Sequence, residues 1–390
     1  MVMFLAWWRW ILVLIAGAFL LVALATTLVV PGWISYPYRL LITGMVGERG
    51  YRFVLVPLII AFLGWRLRRN HRALSRGMLI CGLVTFGLML KPVVQAWRLG
   101  KTLPAQLSAA FGPADPRRAP FSIPTLFAAM PEPVQPQELI FAGKLKLEFY
   151  RAVGRSPAPC VISLHGGGWF SGGHRDRRPF TFWMARQGYA VATVGYRLLP
   201  QARWPMQRWD VLGAVAYLRE HAAELGIDPD RIVLLGRSAG AQLAEASAYG
   251  TRDQGIRGVI AFYGPSDLAD MWDRAAGSRE QLNGWTPHQL LEQFLGGTPA
   301  TAQAAYANAS GLSLVNAASP PTLLIHGALD SMIPLEQSQR LAAKLTAAGR
   351  PNALVVVPWA SHAFDTLNFN GPGSQISEFS IAWFLEAVTR

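Results

Sequence analysis

The chain predicts an α/β fold, a mostly parallel central sheet with helices on both faces, preceded by transmembrane helices. Two observations carry that reading. From residue 137 onward, short apolar and β-branched runs alternate with alanine- and leucine-rich stretches, the pattern of strand–helix repeats around a buried parallel sheet. Before residue 100, by contrast, lie three uncharged runs, the first of them longer than a membrane crossing needs. The 390 residues therefore divide into a membrane region (1–99, about three transmembrane helices), a Pro-rich linker (100–136) and an α/β domain (137–390).

The 29 residues 10–38 carry no charge, more than the roughly 20 that cross a bilayer. Two shorter uncharged runs, 53–65 and 77–90, end at Arg66 and Lys91, whose long stems can snorkel to the interface. Between them, residues 66–76 hold five arginines, which the positive-inside rule assigns to the cytoplasm. Three spans then put residue 100 onward on the non-cytoplasmic side. A competing reading makes residues 1–25 a signal peptide cleaved after Ala23-Leu24-Ala25, and the location is the same. Residues 104–136 contain eight prolines, which predicts an extended spacer.

Within the α/β domain the expected order begins with a hairpin, 138–141 and 145–150. There follow a strand ending at Leu164, a helix near 180–187, a strand at 190–194 and helix over 206–225. A strand over 231–235 leads into a helix from Ala239, and strands at 256–262, 322–325 and 354–357 complete the sheet. No strand is evident between Ser266 and Pro320. Its Trp272, Trp285, Leu290, Leu291, Phe294 and Leu295 fit a small helical cap and ordinary helical packing equally well.

Three motifs sit where those strands end. Gly236-Arg237-Ser238-Ala239-Gly240 joins a strand to a helix by a sharp turn in which the two elements pass too close for a side chain at either glycine. His165-Gly166-Gly167-Gly168-Trp169 follows the strand ending at Leu164, and its glycines let free N–H groups face a cleft, with Gly167, Gly168 and Ala239 as the expected oxyanion donors. Asp330 and His362 follow the last two strands, 322–325 and 354–357, and groups at strand carboxyl ends of open α/β sheets converge on one crevice. A nucleophile, a base, an acid and an oxyanion hole make an acyl-transfer site.

With these motifs, and with Gly195-Tyr196-Arg197-Leu198-Leu199-Pro200, Phe262-Tyr263-Gly264-Pro265-Ser266-Asp267-Leu268 and Pro320-Pro321-Thr322 leading to His326-Gly327, the chain resembles the α/β-hydrolase superfamily. Within it the chain is similar to hormone-sensitive-lipase-like and feruloyl-esterase-like carboxylesterases over about residues 137–390. The resemblance implies Ser238 as nucleophile, His362 as base, Asp330 as acid, and cleavage of small-molecule or lipid esters through an acyl-enzyme. It departs at Arg237, where such relatives often carry an acid, which predicts a charge beside the site that alters substrate preference. Acyl transfer or amide cleavage on the same residues, and a non-catalytic membrane-anchored binding protein, are the alternatives.

Charge excludes one class of partner. The net charge is +13, yet residues 1–130 carry 14 Lys and Arg against 2 Asp and Glu, while 131–390 carry 22 against 21. The basicity belongs to the hydrophobic N-terminal region, so nucleic acid is not a predicted partner. No zinc spacing, phosphate loop or repeat is present, and no cofactor or metal is called for. Cys81 and Cys160, placed in a span and a core strand, are not expected to pair.

Overall fold

The computed structural model describes residues 44–69, 72–175, 178–251, 253–278 and 281–390, with isolated positions at 11, 14 and 17. The segment Gly44–Phe53 turns by 57° into α1 (Leu55–Leu67), which is followed by the 40-residue α2 (Arg72–Phe111). Then come β1 (Gln137–Phe141), β2 (Leu145–Tyr150), β3 (Ala158–Leu164), α3 (Arg178–Arg186), β4 (Ala190–Val194), α4 (Met206–Glu220), β5 (Ile227–Arg237) and α5 (Ala239–Tyr249). The chain continues through β6 (Ile256–Phe262), α6 (Leu268–Arg274), α7 (Pro287–Leu295), α8 (Gln303–Ala309), β7 (Thr322–Gly327), α9 (Leu335–Ala347), β8 (Asn352–Val357) and α10 (Pro372–Val388).

One eight-stranded sheet runs in the order β1-β2-β4-β3-β5-β6-β7-β8. The β1–β2 and β2–β4 pairs are antiparallel and every later pair is parallel. Side chains alternate between faces with the strand period of two. Cys160, Ile162, Leu164, Ile232 and Leu234 meet α4, α5 and α9 in one core. Val161, Val233, Leu235, Ile260 and Leu323 meet α3 and α10 in the other. Burial on both faces makes these strands read as continuous apolar runs. Both cysteines are free, Cys160 buried in β3 and Cys81 in α2.

The N-terminal region departs from expectation at its junction with the sheet. Where a Pro-rich linker was predicted from residue 100, α2 continues through Pro104 to Phe111. Its last turns belong to the second core: Ala96, Leu103 and Leu107 are fully buried there, and Gln106 Nε2 donates to the Leu354 carbonyl at 2.9 Å. Tertiary packing outweighs the helix cost of one proline. Beyond Phe111 the irregular chain lies along α10, with Trp383 Nε1 donating to Gly112 O (3.1 Å), Arg118 paired with Glu378 (2.6 Å) and Ser122 N donating to Gln375 Oε1 (2.8 Å). It is a docked strap rather than a spacer.

The expected span at 10–38 lies outside the described residues, apart from helical Ile11, Leu14 and Gly17. Among the described residues, α2 alone is long and apolar enough to cross a membrane, and the bent pair Gly44–Phe53 with α1 meets the same criterion jointly. α1 and α2 form a hairpin in which Gly82 faces Pro57 and Ala61, and Gly64 faces Met78 and Leu79. A Cβ on Gly82 would sit 2.6 Å from the Pro57 carbonyl, so glycine is what lets the backbones touch. Leu55, Ile59, Phe62, Ile80 and Leu83 point outward, each more than half exposed.

Candidate active site

The elbow after β5 places Ser238 above the sheet. Its backbone has φ 52° and ψ −121°, a strained conformation for a side-chain-bearing residue, held in part by Ser238 N donating to Phe262 O (2.9 Å). The flanking glycines are required by contact: a Cβ on Gly236 would lie 2.1 Å from Gly240 O, and one on Gly240 2.3 Å from Leu164 O.

The structure brings together the serine, histidine and aspartate singled out by sequence. Ser238 Oγ lies 3.0 Å from His362 Nε2, and His362 Nδ1 lies 2.7 Å from Asp330 Oδ2. The Asp330 side chain is wholly buried. Its other oxygen accepts from Met332 N and Ile333 N, both at 2.9 Å, and His326 Nε2 approaches Oδ2 at 3.5 Å. Burial alone would push the Asp330 carboxyl up, but the charge of His362 and hydrogen bonds from His326 and His362 outweigh it and hold the group below the usual carboxylate range. A hydrogen bond to Asp330 fixes which imidazole nitrogen faces Ser238.

Among the described residues the backbone N–H groups of Gly167, Gly168 and Ala239 have no backbone acceptor. Gly167 (φ 113°) and Gly168 (φ 58°) need the left-handed region, and Ala239 opens α5, where the first N–H groups of a helix are unpaired and the dipole favours negative charge. His165 shapes this loop. Its ring stacks on Tyr196 at 4.1 Å, and Tyr196 OH donates to the His165 carbonyl at 2.8 Å.

A cavity of about 580 Å³ opens from these groups. Its far wall comes from the insertion between β6 and β7, with Leu268, Met271, Leu282, Leu290 and Leu291 facing the space. Helices α6 and α7 thus form a cap. Trp169 joins the cap to the loop of Gly166, Gly167 and Gly168: it lines the cavity, stacks on Phe294 of α7 at 4.1 Å, and donates from Nε1 to Gln242 Oε1 at 2.9 Å.

Arg237 does not present the charge that its place beside Ser238 predicts. Its side chain is buried, pairs with Asp365 (Nε to Oδ2, 2.5 Å) and lies between the rings of Phe180 and Phe262 at 4.6 and 4.7 Å. Tyr263 OH donates to the second Asp365 oxygen, and the Tyr263 ring packs on His362 at 4.6 Å. Asp365 and Tyr263 were missed in the sequence. Asp365 carries no motif, and its partner stands 128 residues away.

Comparison with known proteins fits this geometry. The BD-FAE family matches residues 147–345, just over half of the chain. The chain belongs to the BD-FAE family. This BD-FAE stretch runs from β2 into α9, so it includes Ser238 and Asp330 and stops short of His362. Similar curated proteins from Mycobacterium tuberculosis are Esterase LipQ, 31% identical over 53% of this chain and 51% of LipQ, and the probable carboxylic ester hydrolase LipM, 30% identical over 54% and 50%. The chain spans about half the length of these relatives. Among solved structures, a bacterial heroin esterase covers 75% of this chain and 92% of its own at 23% identity (TM-score 0.58). Carboxyl esterase 2 of Tuber melanosporum covers 67% and 89% at 20% identity (TM-score 0.55), and both show the same fold.

Proposed function

We propose that this BD-FAE protein is a membrane-anchored carboxylic ester hydrolase that works through an acyl-enzyme on Ser238. The continuous hydrogen-bond chain from Asp330 through His362 to Ser238, at the mouth of an apolar cavity, carries the reading. Ser238 Oγ attacks the ester carbonyl as His362 Nε2 takes its proton, and the N–H groups of Gly167, Gly168 and Ala239 hold the oxyanion. His362 returns the proton to the departing alcohol. Water, deprotonated by His362, then attacks the acyl carbonyl, and Ser238 leaves with its proton restored. Each oxyanion donor contributes about 3 kcal/mol to lowering the barrier. The cavity lining, predominantly apolar in surface, with Trp169 and Phe170 beside the glycine loop and Arg274, Ser278 and Ser331 among its polar members, favours an apolar acyl or alcohol group.

The test is hydrolysis of p-nitrophenyl esters from acetyl to palmitoyl by the full chain in detergent. Wild type should turn over, and Ser238→Ala should lose at least about 10⁴-fold in kcat. An active Ser238→Ala protein would refute the assignment, and a folded wild type inert to every ester would shift the function to acyl transfer, amide cleavage or binding.

The outward apolar faces of α1 and α2 support insertion of the hairpin in a bilayer, with the arginine-rich turn between them in the cytoplasm and the hydrolase on the opposite side. Exposed Lys144 and Arg69 mark the two sides. In intact cells an impermeant maleimide should label Lys144→Cys and spare Arg69→Cys; the reverse pattern would invert the topology.

A further inference from the structure

His362 sits on the loop between β8 and α10, outside any strand, yet its Nε2 must meet Ser238 Oγ to within a few tenths of an ångström. Misplacement by about 1 Å costs roughly 10²-fold in rate. Something must therefore stiffen that loop. From the sheet side it is held by Asp365, bound to Arg237 and Tyr263.

From the other side it is held by the segment that precedes the hairpin. Glu48, 1% exposed, accepts at Oε1 from the Trp359 indole N–H at 2.9 Å and at Oε2 from Gly373 N at 3.0 Å. Trp359 lies three residues before His362, and Gly373 lies in the first turn of α10, so one carboxylate ties both ends of the histidine loop. Neighbouring groups add to the grip. Asn368 Nδ2 donates to the Glu48 carbonyl at 2.8 Å and to Tyr51 OH at 3.1 Å, and Arg49 donates to Leu367 O. Close approach is built in: a Cβ on Gly44 would lie 1.9 Å from Leu367 Cδ1.

We propose that Gly44–Phe53 is a positioning element of the active site, in which Glu48 clamps the loop that presents His362. The clamp rests on the hydrolase reading, but its residues lie outside the BD-FAE stretch, at the foot of the helical hairpin. It makes the N-terminal region part of the catalytic apparatus as well as an anchor.

The test uses the full chain in detergent, with active sites counted by fluorophosphonate labelling of Ser238 so that misfolded protein drops out. Glu48→Ala should lower kcat per labelled site at least tenfold with KM within twofold, because cavity and oxyanion donors are untouched. Glu48→Gln, whose single amide oxygen at the Oε1 position lies within reach of both the indole N–H (2.9 Å) and Gly373 N (3.2 Å), should stay within threefold of wild type. Trp359→Phe, which removes the donor from the other end of the same bond, should reproduce the Ala result and guards against a Glu48→Ala protein that fails to accumulate. Wild-type kcat per site in both Glu48→Ala and Trp359→Phe would overturn the clamp, as would a Gln variant as slow as Ala. Amide exchange over residues 359–371 reads the clamp without any substrate: it should quicken at least tenfold in Glu48→Ala, and an unchanged rate would overturn the proposal even if the wild type proved inert to esters.

Discussion

The sheet domain and the α1–α2 hairpin both rely on glycine to bring backbones into contact, and they turn their apolar surface in opposite directions. At the elbow, Gly236 and Gly240 let β5, β3 and α5 close on one another, and the large side chains around them are sealed away. In the hairpin, Gly64 and Gly82 join two helices whose leucines, isoleucines and Phe62 face outward. The sheet domain also buries acids, including Asp330, Glu245 and Glu378, whereas residues 53–111 contain none. The contrast teaches how each part disposes of its apolar surface. One excludes water and finds partners for most of the charges it keeps; the other packs its backbones together and carries its apolar side chains outside, on the surface that the proposed membrane insertion would cover.

The largest test of that difference lies in how the sheet domain treats a buried acid that has partners. Asp330→Asn preserves shape but removes the charge that orients and stabilises His362, and kcat should fall about 10⁴-fold with little change in KM. Retention of more than a tenth of wild-type kcat would mean that His326 or another group fills the role.

Glu245 is the opposite case. It is fully buried in α5, Ser266 Oγ donates to one oxygen at 3.1 Å, and the other oxygen has no hydrogen-bond partner among the described residues, so burial pushes the carboxyl up to about 8. The folded state therefore holds a proton that the unfolded chain releases near pH 4.3, and stability falls as pH rises from there to about 8. Glu378, raised to about 7 by burial against the opposing pull of Arg118, adds to the same decline. Glu245→Gln should flatten the loss between pH 5 and 8.5 and be more stable at the alkaline end by on the order of 3 kcal/mol. Thermal melts across that range decide it: parallel curves for the two proteins would show that Glu245 is solvated.

The smallest effect is expected at Gly82, and it is read by comparing glycine with glycine. Gly236→Ala drives a methyl into the Gly240 carbonyl and should cost several kcal/mol with loss of activity, since elbow and oxyanion loop move together. Gly82→Ala drives one toward the Pro57 carbonyl at 2.6 Å, but α1 can slide away in a soft surround, so the cost should be about 1–2 kcal/mol. Urea unfolding of both in detergent makes the comparison. Equal losses would mean that the hairpin is as rigidly seated as the elbow.

Much of the sheet domain was legible because its signals are local. The apolar runs of β3 to β8 and the elbow glycines each declare themselves within ten residues, and Ser238, Asp330 and His362 follow from their places after strands. What escaped was long-range. Arg237 reads as an exposed charge until Asp365 and the rings of Phe180 and Phe262 are seen to enclose it. Residues 104–111 read as linker because Pro104 opens a run of eight prolines, although Leu103 and Leu107 were already spaced to share one helix face and are buried. The cap was ambiguous in sequence since a helix packed on the core and one packed over a cavity share a pattern. Glu48 carries no motif, and its partners Trp359 and Gly373 stand 311 and 325 residues away.

The 40 residues of α2 amount to about 60 Å of helix through Pro92 and Pro104, with its first half in the hairpin and its last turns inside the core of the sheet domain. A flexible tether would let the enzyme sweep a hemisphere and meet substrates anywhere within its radius. A shared helix does not: on the proposed topology, the mouth of the cavity keeps one height and one tilt above the bilayer. Reach then becomes a selectivity filter of its own, set by where along the membrane normal an ester is presented rather than by its chemistry.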